Sequence, residues 1–225
     1  MTTRVLVVAK APVAGRVKTR LGADVGMHTA AHVAAASLLD TLTAAAAAVG
    51  AAHCHLSLAG DLAEAVRGEE LLAATTGWHV HPQVGDGFAA RLARAHADVA
   101  ATGPGAVVQV GMDTPQVTPA LLLDAAAGLE DHDAVLGDAT DGGWWVLALR
   151  DPSRAACLAG VPMSVPETGR LTRDALEDDG LTVGSTAVLT DVDTVPDADA
   201  VAPLAGPMFA ASWAAARPVT TGGTR

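Results

Sequence analysis

Short apolar runs rich in β-branched residues alternate along the chain with longer alanine- and leucine-rich stretches, and glycine, proline and aspartate punctuate them. Such short runs, bounded by turn residues, read as strands. Residues 4–9 (RVLVVA), 53–60 (HCHLSLAG), 78–83 (WHVHPQ), 106–113 (AVVQVGMD), 133–139 (DAVLGDA) and 144–150 (WWVLALR) fit this description, and 181–195 (LTVGSTAVLTDVDTV) holds one or two more. Helices are expected over 28–49, 61–74, the amphipathic part of 85–101, 117–129, 170–179 and, as the last clear one, 196–205. In 117–129, Thr118 reads as the N-cap and Pro119 as the first helical residue. Strands alternating with helices imply βαβ units, hence an α/β, Rossmann-like sandwich with a mostly parallel sheet covered on both faces. No shift of composition and no repeat divides the chain, so residues 1–217 are expected to form one domain, with 218–225 a disordered tail. Ligands of such sheets bind beyond the carboxyl ends of the strands, where the loops 10–20, 111–115, 140–143 and 191–194 fall.

Composition narrows the class. The chain has 225 residues and a formal net charge of −11, which argues against a general nucleic-acid binder with a broad basic face. The stretch 41–53 (TLTAAAAAVGAAH) is too weakly apolar to cross a bilayer alone, so no membrane span is expected. The first ten residues lack the apolar core and cleavage site of a signal peptide, and a cytoplasmic location is expected. Cys54 and Cys157 show no metal or redox spacing and read as small core residues, and the eight histidines form no zinc pattern. Monomer and oligomer both remain open.

Against that acidic background, both lysines of the chain, Lys10 and Lys18, lie with Arg16 and Arg20 in one loop after the first strand, and no acid precedes Asp24. Four cations so close repel one another, so a stable fold gains by giving them anions. Together with Gly15 and free backbone N–H groups, they suit a phosphate. The loop is neither a Walker A loop, since Arg16 and Val17 separate Gly15 from Lys18-Thr19, nor a dinucleotide fingerprint. Asp113 follows the strongest strand, where a carboxylate suits Mg²⁺ or, equally, caps a turn before Pro115. Asp191 and Asp193, two apart, share a side of an extended backbone; each is also an ordinary turn residue. The three acids beside the basic loop read together as a divalent-metal phosphate site. Asp141, before Gly142-Gly143, is placed to contact a sugar or acceptor hydroxyl, or else to close a hairpin. Gln83, Asp86 and Arg91 surround two glycines in a base- or substrate-facing loop.

The segments VLVVAKAPVAGRVKTRL, GMDTP, LGDATDGGWWVLAL and LTDVDT, in this order from Val5 to about Ala200, resemble a bacterial family of the DUF2064 type, glycosyltransferase-like proteins within the nucleotide-diphospho-sugar transferase superfamily. The plan is more distantly similar to molybdenum-cofactor and phospholactate nucleotidyltransferases. The resemblance implies a three-layer fold of the glycosyltransferase-A type. It implies nucleotide and phosphate binding by Lys10, Gly15, Arg16, Lys18 and Arg20, with Gln83 and Asp86 in the family's Q…GDLG segment. It also implies Mg²⁺ or Mn²⁺ at Asp113 with Asp193 and Asp191, catalytic roles for Lys18, Asp113 and Asp141, and an acceptor-side loop at 141–143. Trp144-Trp145 stands where related sequences often have Tyr-Tyr, and MSVPET (163–168) where they often have a Trp-Ser-Thr element, so the acceptor half departs from the pattern.

The function expected is nucleotidyl transfer from a nucleoside triphosphate to a small phosphorylated or sugar acceptor, with pyrophosphate released. The alternatives are glycosyl transfer from a nucleotide-diphosphate sugar, or non-catalytic nucleotide binding. The single acid in Gly111-Met112-Asp113, where glycosyltransferases of this fold often carry Asp-x-Asp, and the cation-rich loop favour the first.

Overall fold

The computed structural model describes residues 2–217; the expectation for 218–225 lies outside the described residues. Seven strands form one sheet in the order β3-β2-β1-β4-β6-β5-β7. They are β1 (Thr3–Lys10), β2 (Cys54–Ala59), β3 (His79–Pro82), β4 (Ala106–Gly111), β5 (Ala134–Asp138), β6 (Trp144–Leu149) and β7 (Val183–Ser185). β6 runs antiparallel to both of its neighbours, and every other pairing is parallel. The central strands are buried on both faces, which is why β1 and β4 read as unbroken apolar runs rather than alternating ones.

Helices cover both faces. On one side α2 (Met27–Val49), α3 (Gly68–Ala74) and α5 (Pro119–Ala127) pack Leu38, Leu42, Leu71 and Leu122 against Val5, Val7, Val108 and Val110. On the other, α4 (Gly87–Ala101), a 3-10 segment at Pro152–Gly160 and α6 (Thr168–Asp178) pack Leu92, Val99, Leu158 and Leu176 against Leu6, Val107 and Leu147. A satellite cluster joins α1 (Thr19–Val25), α2, α7 (Val195–Val201) and α8 (Pro207–Ala216) around Leu21, Phe209 and Trp213. α2 is long and apolar enough to cross a membrane by length and composition, but 67% of its most apolar stretch is buried in the fold, as in a core helix.

Several expectations are corrected. Residues 61–74 are not one helix: the chain breaks at Arg67, whose backbone is left-handed (φ 57), and a 3-10 turn at Leu62–Glu64 precedes α3. Gly68 sits so close to the Leu62 carbonyl that no side chain fits there, and the break is built into the packing. The region 181–195 holds one strand, β7, within the one or two expected, and a single bridge from Leu189 to Ala139. The basic loop ends in a helix, α1, and α8 follows α7, which ends at Val201 rather than at 205. The cap of α5 forms as read: the Thr118 hydroxyl accepts from the Leu121 N–H at 3.2 Å.

Candidate active site

The carboxyl ends of β1, β2 and β4, the β5–β6 turn and the start of α6 enclose a cavity of about 380 Å³. Asp113, Asp141, Asp191, Lys10 and Arg91 supply its charged lining, with Gln83 among its polar residues. The loop that carries Asp113 is held from several directions. The Ser37 hydroxyl on α2 donates to the Met112 carbonyl at 2.6 Å, and the Val192 N–H donates to the Asp113 carbonyl at 2.9 Å. The Gln116 side-chain amide reaches the Thr190 carbonyl at 2.6 Å. On the far wall the Asp141 carboxylate accepts from the Gly143 N–H at 2.8 Å, closing the turn. Thr140 bonds Thr190 through their hydroxyls at 3.1 Å and the Leu189 carbonyl through its N–H at 3.0 Å. The loops of Asp113, Asp141 and Asp191 are thus tied into one frame.

The four cations divide. Lys18, its side chain 8% exposed, places its ammonium 2.6 Å from Asp113 Oδ1 and 2.9 Å from Asp193 Oδ1. Burial pulls its pKa down, but the two carboxylates outweigh this and hold it above the ordinary lysine value. Arg20 adds a contact of 3.2 Å to Asp193 Oδ2. Burial pushes Asp193 up, yet Lys18 and Arg20 bring it below the usual carboxylate range. Arg16 lies 4.0 Å from Glu64 in solvent, and Lys10 alone of the four lines the cavity. The cations do gain anions, but in this conformation three of them find the chain's own acids. Gly15 takes the left-handed conformation of its turn (φ 75), with open space where a Cβ would stand.

The expected metal set divides too. Among the described residues no three His, Cys, Asp or Glu side chains converge to hold an ion. Asp113 and Asp191 line the cavity, while Asp193 is engaged by Lys18 and Arg20. Asp191 is pushed up to about 6 by burial, then by the nearby Asp141 and Asp193 carboxylates. Crowded, desolvated oxygens of this kind fit a hard divalent cation, and Mg²⁺ takes one or two protein carboxylates with phosphates and water completing its shell. Asp113 and Asp191 therefore fit a metal brought with a phosphate ligand; three carboxylates acting as a closed cage do not.

Gln83 lines the cavity, but its side-chain amide is occupied by the Ala9 carbonyl at 3.0 Å and the Ser57 carbonyl at 3.1 Å, pinning the ends of β1 and β2. Asp86 is the residue before α4, exposed and outside the cavity lining. Sequence reasoning passed over Gln109, Thr114, Met163 and Thr168, all in the lining. Gln109 carried a signal: it is a lone polar residue inside the most apolar strand of the chain.

A mostly parallel sheet gathers acids and a lysine at its strand ends over one cavity, and comparison with solved structures places the chain in the fold shared by nucleotide-diphospho-sugar transferases. Residues 21–165 match the family described as an uncharacterized protein conserved in bacteria (DUF2064), and the chain belongs to that family. It is similar to a protein of Desulfovibrio desulfuricans G20 assigned as a nucleotide-diphospho-sugar transferase, at 28% identity and a TM-score of 0.76, covering 87% of this chain and 84% of that one. The fold alone is shared with the Rv0371c protein of Mycobacterium tuberculosis H37Rv in complex with manganese, at 22% identity and a TM-score of 0.51, over 89% and 98% of the two chains. It is also shared with CMP:2-keto-3-deoxy-manno-octonic acid synthetase complexed with CTP, at 15% identity and a TM-score of 0.51, over 89% and 97%. No curated protein matches the chain.

Proposed function

We propose that the protein transfers a nucleotidyl group from a nucleoside triphosphate to a small acceptor, with Mg²⁺ or Mn²⁺ and release of pyrophosphate. The observation that carries this reading is one cavity in which Asp113 and Asp191, both free of the Lys18 clamp on at least one oxygen, face the same space as Lys10. When bound, the metal supplies Lewis-acid neutralisation of charge on the phosphates. Lys18 fixes the Asp113 carboxylate by holding one oxygen and leaves the other for a ligand. Lys10, at the end of β1, offers a cavity-facing cation to the leaving phosphates. The single acid at the end of β4 supports nucleotidyl transfer, and a location in the cytoplasm, where nucleoside triphosphates are held, belongs to the same reading.

A second reading, glycosyl transfer from a nucleotide-diphosphate sugar, is favoured by the opposite wall. There Asp141, Trp144 and Trp145 offer a carboxylate and aromatic surface to a sugar ring, and three of the four loop cations are already paired. Incubation with each nucleoside triphosphate and each nucleotide sugar, with Mg²⁺ and a panel of phosphorylated and sugar acceptors, separates the two. Pyrophosphate from a triphosphate supports the first; nucleoside diphosphate from a nucleotide sugar, with no pyrophosphate, replaces it with the second.

A further inference from the structure

We propose that Gln109, held by His96, is a fixed hydrogen-bond donor on the cavity floor that selects a nucleobase bearing a keto oxygen over one bearing an amino group. The inference rests on the nucleotide reading above but not on which group is transferred. Gln109 is 2% exposed and His96 fully buried, yet Gln109 lines the cavity. The pair meets at 2.8 Å, His96 Nε2 to Gln109 Oε1. His96 Nδ1 is buried without a partner. That orphan fixes the tautomer. With the proton on Nε2, Nδ1 is a bare acceptor; with the proton on Nδ1, a buried N–H is left without an acceptor, the rarer and costlier defect. Burial also keeps the ring neutral by pushing its pKa down to about 4. Nε2–H therefore donates, the carboxamide presents its oxygen to His96, and its N–H₂ is left for the cavity.

The surroundings of that amide indicate which part of a nucleotide it meets. Lys10, Asp113 and Asp191, the groups suited to phosphate and metal, come from the strand ends or the loops beyond them. Gln109 lies within β4 on the face that packs against α4, and Val8, Phe88, Trp144 and Met163 line the cavity with it. A flat, weakly polar ring suits this compartment. A donor that cannot turn pairs with a keto oxygen there, and opposes an exocyclic amino group with a second donor, which leaves both unpaired.

The test is calorimetric binding of UDP against CDP and of GDP against ADP, each with Mg²⁺, to the wild-type chain, to Gln109→Leu and to His96→Phe. The wild type is expected to favour the keto member of at least one pair by about tenfold or more. Gln109→Leu removes the donor and His96→Phe frees the amide to rotate, so both variants lose that preference. Equal affinities within both pairs in the wild type, a preference for the amino members, or a keto preference that survives Gln109→Leu overturns the inference while leaving nucleotide binding standing. Binding of none of the four overturns the nucleotide reading, and this inference with it. The wild-type comparison decides even if a variant fails to fold.

Discussion

Lowering the pH from 7 to 4.5 is expected to remove about 2.5 kcal/mol of stability through His96 alone. In the native protein burial pushes this imidazole down to about 4, whereas its ordinary value is 6.5. Between those values the unfolded chain binds a proton that the native protein refuses. The contribution is therefore complete above about pH 6.5 and is lost as the pH falls toward 4. Against a typical total of about 5–15 kcal/mol, the loss is a sixth to a half of the stability. His55 acts in the same direction, pushed down to about 4 by burial and then by His79 and His81. Asp191, pushed up to about 6, acts in the opposite one, because the native state takes up its proton first. The net curve thus mixes several groups, and the difference between two proteins isolates one. Urea unfolding followed by circular dichroism, at half-unit steps from pH 4 to 7.5, gives stability against pH for the wild type and for His96→Gln. The variant's curve should be flatter by about 1.4 kcal/mol per pH unit in the middle of the window, whatever its offset. Parallel curves would refute the reasoning, since His96 would then titrate alike in both states.

Three further outcomes are expected. Asp113→Asn should abolish metal-dependent nucleotide binding, measured by calorimetry with and without Mg²⁺, while the melting temperature stays within a few degrees; undiminished metal dependence would move the metal elsewhere. Lys18→Met should cost about 1–2 kcal/mol in urea unfolding, less than a fully buried pair would, because Asp113 and Asp193 remain 46% and 40% exposed and water screens their mutual repulsion. Asp40→Ala should cost about 1–3 kcal/mol, because the carboxylate accepts from the Met208 and Phe209 N–H groups at 3.2 and 2.7 Å and nothing else caps α8; a change below about 0.5 kcal/mol would show that those groups find other partners.

The elements that could be read from the sequence are those whose causes are local. β1 and β4 announce themselves as buried runs, and α5 carries its own cap at Thr118. The elements that could not be read depend on distant residues. α8 begins at Gly206-Pro207 with no capping side chain of its own; its cap is Asp40, 168 positions from Met208, and only Pro207 at its first position marks the start locally. α1 follows Lys18 in a left-handed conformation, without a conventional cap, inside a stretch whose charges read as loop. The reversed direction of β6 against β5 was legible in the short Asp141-Gly142-Gly143 connection, but its pairing with β4 on the other side was not. At the candidate site, Asp113 and Asp141 were legible as acids just past strands, whereas Asp191 follows irregular chain rather than the strand expected before it; the cavity is lined by all three. The partner of Lys18 was not, because Asp193 lies 175 residues away and the cluster's charge alone does not say whether its anion is a ligand or the protein itself.

The backbone bond from Val192 to the Asp113 carbonyl, with those from Gly206 to Pro115 and from the Gln116 side chain to Thr190, also sets an order of assembly. As the chain leaves the ribosome, β1 to β4 emerge first, and these four pair in parallel among themselves, in the order β3-β2-β1-β4. The Asp113 loop emerges with them, but the segments that fix it, residues 189–193 and 206, come some eighty to ninety residues later. A nascent chain halted before residue 189 would have its central strands and yet lack a fixed Asp113 loop, so ligand binding would report on completed synthesis rather than on the appearance of structure.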